Sequence, residues 1–294
     1  MEDKSSIEKI KGGTIMKNKK LAGIFAVAMS LALVGTACGT KKVATYKSGT
    51  DMTKQITQIT KGTNPEKNPD VAKNRKDTLV IGIQPPDGVF NSLFCSGLYD
   101  QWIASAITDS LTNSDDSGMP TPGIATKWEV SPDGITYTFH LRNDVKFFDG
   151  NTVTADDVAF AATVLCDGKY DGNFTGGVDM NIKGAEEYNK GTAKTVSGIE
   201  VLDKQTIKFT LTQPNASDLL NFSGLPIYEK AVYEPLYASK GIDGLKTLNR
   251  QPMGCGQYKF VTFKDGIETD LVANDNYYQG APKVKNVIFK CTTP

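Results

Sequence analysis

ATKWEVSPDGITYTFHLRNDVKFFDGNTVTADDVAF, residues 125–160, decides the local architecture of this 294-residue chain. Its first half alternates with a period of two. Ile135, Tyr137, Phe139 and Leu141 point to one side, and Thr136, Thr138, His140 and Arg142 to the other, as in a half-buried strand. Pro132-Asp133-Gly134 supplies the turn that opens the strand. Asp149-Gly150-Asn151 supplies a second turn, after which Thr154 and Asp157 stand in a capping-box variant. Asp156 and Asp157 then fall in the positive first turn of a helix. The reading is turn, strand, turn and capped helix.

The same order extends outward. Residues 78–83 (TLVIGI) are a short apolar run stopped by Pro85-Pro86-Asp87-Gly88, which predicts a buried first strand. A helix is predicted over 101–111, with Trp102, Ile103, Ala106 and Ile107 along its apolar face. Residues 167–194 are polar and Gly-rich with little periodicity. Residues 196–211 (VSGIEVLDKQTIKFTL) alternate on both sides of Asp203-Lys204 and predict a hairpin, followed beyond Pro214 by a short helix over 216–222.

Particular residues narrow this grammar. An Ala, then Asp-Gly, an alternating strand ending Leu141-Arg142-Asn143-Asp144, Lys146-Phe147-Phe148-Asp149-Gly150 and Thr154-Ala155-Asp156-Asp157-Val158 resemble the signature of the family 5 extracellular solute-binding proteins. Gly118, Pro122 and Ala125 extend the resemblance upstream. Residues 271–290 (LVANDNYYQGAPKVKNVIFK) extend it downstream, and 249–260 (NRQPMGCGQYKF) do so less closely, with Cys255 and Gln257 where the family usually has Thr and Pro.

The resemblance implies a mixed α/β fold of the type II periplasmic-binding-protein kind. On it, 77–107 and 195–294 are part of lobe one, 108–194 a small second domain, and the second lobe is absent from an apparently truncated chain. It implies a receptor of an ABC importer that captures short peptides, or a similar small solute, and passes them to a membrane permease without a cofactor. Phe94, Cys95 and Tyr99 in the loop after the first strand, the turn Gly254-Cys255-Gly256, and Tyr277 would line the ligand side.

The N-terminus sets an expected location. Lys17, Lys19 and Lys20 precede an apolar run over 21–34 and then Gly35-Thr36-Ala37-Cys38, the layout of a secretory signal and too short for a membrane span. A Cys directly after small residues resembles a lipobox, implying a lipid on Cys38 and cleavage before it. Residues 1–37 read as the signal peptide, with Met16 as the start of translation. Residues 38–76 read as the lipidated Cys and a flexible tether too poor in large apolar residues to fold. Such a tether has a root-mean-square reach of roughly 35 Å.

Charge is segregated. Residues 39–76 carry nine Lys/Arg against three Asp/Glu, whereas 77–294 carry 18 against 27. The acidic body argues against nucleic acid, and the basic tether suits an anionic membrane or wall polymer. His140 is the single histidine, which leaves no His-based triad and no His-rich metal site. Cys95, Cys166, Cys255 and Cys291 lack C-x-x-C spacing; in an exported protein they could pair in three ways or stay buried and unpaired. Asp115-Asp116 and Asp156-Asp157 sit in a turn and a helix cap. These features predict no catalytic residue and no metal ligand. A peptide-sensing or adhesive lipoprotein on the same fold is the alternative function; a surface hydrolase is less favoured for want of a nucleophile motif.

Overall fold

The computed structural model describes residues 65–174, 177, 179–215 and 217–292. The expected signal peptide, Cys38 and most of the expected tether lie outside the described residues. In chain order the elements are α1 (Asp70–Lys73), β1 (Thr78–Ile83), α2 (Leu98–Ile107), β2 (Asn113–Ser114), β3 (Pro120–Thr121), β4 (Ala125–Val130) and β5 (Thr136–Leu141). There follow α3 (Ala155–Val164), α4 (Ala185–Asn189), β6 (Ile199–Asp203), β7 (Thr206–Thr210), α5 (Asp218–Ser223), α6 (Lys230–Lys240) and α7 (Ile242–Lys246). The hairpin β8 (Tyr258–Lys264) and β9 (Glu268–Ala273) and the strand β10 (Asn286–Cys291) complete the series. The single turn α1 falls within the stretch expected to be tether, and it buries no side chain.

The quoted segment folds as read. Tyr137, Phe139 and Leu141 of β5 are buried while Thr136, Thr138 and His140 alternate with them. Asp157 Oδ2 accepts from the Thr154 backbone N–H at 2.8 Å and from its hydroxyl at 2.7 Å, which fixes the start of α3. β4, β5, β7 and β6 form an antiparallel sheet in that order. Its inner face packs against α3 and against Phe222 of α5. Phe209 and Phe222 stack at 4.4 Å, with Tyr137 and Phe139 at 5.3 and 5.9 Å from the Phe222 ring.

The second sheet runs β1-β10-β9-β8, with β1 parallel to β10 and the remaining pairs antiparallel. α2 covers one face of it, through Ile103 and Ile107 against Leu271, Val287 and Phe289.

Three expectations are corrected here. Residues 78–83 are not a buried strand. Among the described residues β1 bonds only to β10, Leu79 is exposed, and Ile83 alone of the six is buried. An apolar run cannot distinguish an edge from a centre. The apolar face of α2 is Ile103, Ala104 and Ile107, whereas Trp102 is 46% exposed. The hairpin β6–β7, assigned with 195–294 to lobe one, pairs instead with β5, so the return to the first sheet comes later, at β8.

Candidate functional site

The loop between β1 and α2 is held by buried polar groups. Asp100, in the first turn of α2, is buried, and its two carboxylate oxygens accept from the backbone N–H groups of Asp87 and Val89 at 2.9 and 2.7 Å. A Cβ at Gly97 would stand 2.6 Å from Asp100 Oδ2, so glycine is needed for that carboxylate to fold back. Asn91, fully buried, accepts from the Tyr228 hydroxyl and from the Leu93 N–H, while the Tyr170 hydroxyl donates to the Leu93 carbonyl at 2.6 Å. The loop is therefore preorganised.

What this loop and helix turn present outward is mostly apolar. Phe94 is half-buried beside Tyr170 (5.7 Å) with the Lys246 ammonium 5.6 Å from its ring. Tyr99 meets Trp102 edge-on at 5.3 Å, and Leu98 is 57% exposed. Cys95 is buried, its sulfur 3.8 Å from the Ser92 carbonyl; burial pushes its thiol up, and the Asp100 charge adds to the effect. Leu98 was not singled out in the sequence, and Trp102 was placed on the apolar, core-facing side of the helix. Only their exposure reveals them, since apolar residues in a helix ordinarily read as core.

The turn 254–256 lies at the opposite end of α2, about 15 Å away by helix rise. The Gly256 N–H donates to the Ile107 carbonyl at 2.9 Å. A Cβ at Gly254 would fall 2.2 Å from that same oxygen, and one at Gly256 2.7 Å from the Ala106 carbonyl. The Gly254 carbonyl accepts from Phe148 N–H and the Gly256 carbonyl from Asn274 Nδ2. Cys255 is 1% exposed; burial pushes its thiol up, and the Asp109 charge adds to this. The glycines permit close approach, as expected, but of a helix end rather than a ligand. Gly254, Cys255 and Gly256 present no accessible wall, which corrects the expectation for them.

Tyr277, half-buried beside that turn, donates its hydroxyl to Asp109 Oδ2 at 3.0 Å. Burial pushes the Asp109 carboxyl up, opposed by hydrogen bonds from the Ser110 N–H and the hydroxyls of Tyr277 and Tyr278. Arg142 lies 4.4 Å over the Tyr278 ring and forms a forked pair with Asp144. The candidate residues thus divide into two groups: Phe94, Cys95 and Tyr99 at the N-terminal end of α2, and Gly254, Cys255, Gly256 and Tyr277 at the other.

Nothing in either group is an activated nucleophile. Cys95, Cys166, Cys255 and Cys291 are all free thiols, and burial holds Cys166 at about 12. His140 Nε2 lies 3.7 Å from Glu129 Oε1. Rigid loops carrying exposed apolar groups are suited to holding a molecule.

Comparison with known proteins agrees. The model of the bacterial extracellular solute-binding proteins, family 5 Middle, matches residues 119–294. Di/tripeptide-binding protein 4 of Pseudomonas aeruginosa is 29% identical over 180 residues, covering 58% of this chain and 32% of the relative. The probable ABC transporter periplasmic-binding protein SapA of Escherichia coli is 30% identical over 230 residues, covering 75% and 41%. Haemophilus influenzae OppA, solved in complex with RPPGFSPFR, superposes with a TM-score of 0.62 at 25% identity, over 74% of this chain and 42% of that one. The chain thus spans well under half the length of each of these relatives. The fold is the mixed α/β one of type II periplasmic binding proteins. With a match reaching from β3 through β10, the chain belongs to family 5 of the bacterial extracellular solute-binding proteins.

Proposed function

We propose that this chain is part of an extracytoplasmic receptor, anchored by a lipid on Cys38, that captures short peptides and delivers them to the permease of an ABC importer. The observation that carries this reading is the family match, joined to relatives named for di- and tripeptides and a solved neighbour holding a nonapeptide. On this reading the 294 residues supply one wall of the peptide site. Phe94, Leu98, Tyr99 and Trp102 are its apolar contacts, and Tyr277 lies at its far end. A peptide recognised along its backbone in a wet cleft needs no reactive group. It does need contacts from both sides, because association costs several kcal/mol of lost freedom. One wall alone is therefore expected to bind a di- to pentapeptide pool no tighter than about millimolar, roughly −4 kcal/mol. Calorimetric titration tests this, and micromolar affinity of the 294-residue chain would contradict the single wall. The anchor is tested separately: globomycin-sensitive processing and palmitate incorporation should both vanish in Cys38→Ser. Unlabelled wild-type protein in the membrane fraction would remove the lipid.

A further inference from the structure

The polar, Gly-rich stretch over 167–194 reaches the proposed wall through three consecutive residues, Tyr170, Asp171 and Gly172. The Tyr170 hydroxyl donates to the carbonyl of Leu93, 77 positions away, at 2.6 Å and accepts from the Phe174 N–H at 3.2 Å. Asp171 Oδ2 accepts from the Lys246 ammonium at 2.6 Å, and that ammonium lies 5.6 Å from the Phe94 ring. A Cβ at Gly172 would stand 2.0 Å from the same Leu93 oxygen, so only glycine lets the two backbones meet.

Both main-chain polar groups of Leu93 are thereby held. Its N–H is shared between Asn91 Oδ1 at 3.2 Å and the Tyr228 hydroxyl oxygen at 3.1 Å. Among the described residues Tyr170 alone donates to its carbonyl. Leu93 is buried, so a carbonyl left there without a donor would be costly. Burial pushes the Tyr170 hydroxyl up to about 12, opposed by the Phe174 N–H, and it therefore stays a donor at neutral pH. The next residue along the chain is Phe94, whose ring packs against that of Tyr170 at 5.7 Å. The Asp171–Lys246 pair is partly exposed and adds little to the tie.

We propose that Tyr170 is a positioning residue for the peptide wall: through its hydroxyl on Leu93 and its ring on Phe94, it fixes where Phe94 meets the peptide. The inference rests on the peptide reading above. Leu98, Tyr99 and Trp102 are carried by α2 itself. Phe94 precedes the helix, and its place depends on side chains brought from elsewhere in the chain.

The test uses Tyr170→Phe in the full 294-residue chain, which keeps the ring beside Phe94 and removes the hydroxyl. Without peptide, amide hydrogen exchange at Leu93 and Phe94 should quicken about fivefold, the loss of one neutral hydrogen bond. Exchange at Ile103 and Ile107 of α2 should stay as in the wild type, which a general loss of stability would not allow. In an NMR titration with the di- to pentapeptide pool, half-saturation should need about fivefold more peptide, because the binding-competent loop is less populated. Gly172→Ala keeps the hydroxyl but presses on it and on the Leu93 carbonyl, and should act in the same direction. The proposal is overturned if exchange at Leu93 and Phe94 in Tyr170→Phe matches the wild type, or if Ile103 and Ile107 quicken equally. It is also overturned if the loop exchanges faster and peptide affinity does not change. A wild-type titration without shifts at Phe94, Leu98, Tyr99 and Trp102 sinks the peptide wall itself, and is told apart because the wild type rather than the variant fails.

Discussion

The two sheets of this protein are supported in different ways. Under β4-β5-β7-β6 lies a large apolar cluster, fed by α3, α5, α6 and α7 and centred on Phe139, Phe209 and Phe222, all fully buried. Under β1-β10-β9-β8 lies a small one, essentially one helix on one sheet face, with Leu79, Val261 and Val272 left exposed. The loop proposed to face a ligand bridges the two, Phe90 packing in the small cluster and Leu93, with Phe94 against it, in the large one. Its conformation rests on buried polar groups, Asp100 and Asn91 above all, together with the buried Phe90 and Leu93 side chains. Where a loop joins two cores, specific hydrogen bonds fix the conformation that apolar packing alone leaves open.

That contrast can be broken by mutation. The largest effect is expected in the thick core: Phe222→Ala removes a ring packed among three aromatic neighbours and should cost about 3–5 kcal/mol by denaturant titration. A cost near zero would mean the aromatic cluster is not a stability centre. In the thin region Asp100→Ala leaves the N–H groups of Asp87 and Val89 without acceptors. A loss of about 2–3 kcal/mol is expected, with faster hydrogen exchange at those two amides. Unchanged exchange there would show that the loop is held by something else.

Gly254→Ala tests the turn at the other end of α2. Its Cβ would press on the Ile107 carbonyl, an overpacking worth about 1–3 kcal/mol. A neutral result would reopen the turn as a flexible ligand contact.

The smallest effect is a pH dependence at Asp109. Its folded pKa lies above the unfolded value, so its stabilising contribution is full below the unfolded pKa and is lost as pH rises through the folded one. Asp109→Asn should therefore gain thermal midpoint relative to the wild type as pH is raised from acid toward neutral. A constant difference across that window would contradict the assignment.

How much of this was legible depended on whether the cause lay in neighbouring residues. β5, the capped start of α3 and the β6–β7 hairpin were, because alternation, cap and turn each lie within a few consecutive positions. The helix α6 was missed: Pro235 inside it breaks the pattern that would have marked it. The face of α2 was set wrongly because hydrophobicity favours Trp102, whereas the close fit to the sheet takes Ala104. The glycines at 254 and 256 were read correctly as a close approach, but no spacing says what approaches. The pins of the loop between β1 and α2 were out of reach altogether, since Asn91 and Tyr228 stand 137 positions apart. Resemblance, not spacing, pointed to the loop.

The proposed wall of the peptide site consists of the loop and the first turn of α2. Its most direct test is an NMR titration of the ¹⁵N-labelled 294-residue chain with a pool of di- to pentapeptides. Fast-exchange shifts are expected at Phe94, Leu98, Tyr99 and the Trp102 indole, saturating at about millimolar peptide. Shifts absent from these residues but present elsewhere, or micromolar saturation by this chain alone, would contradict it.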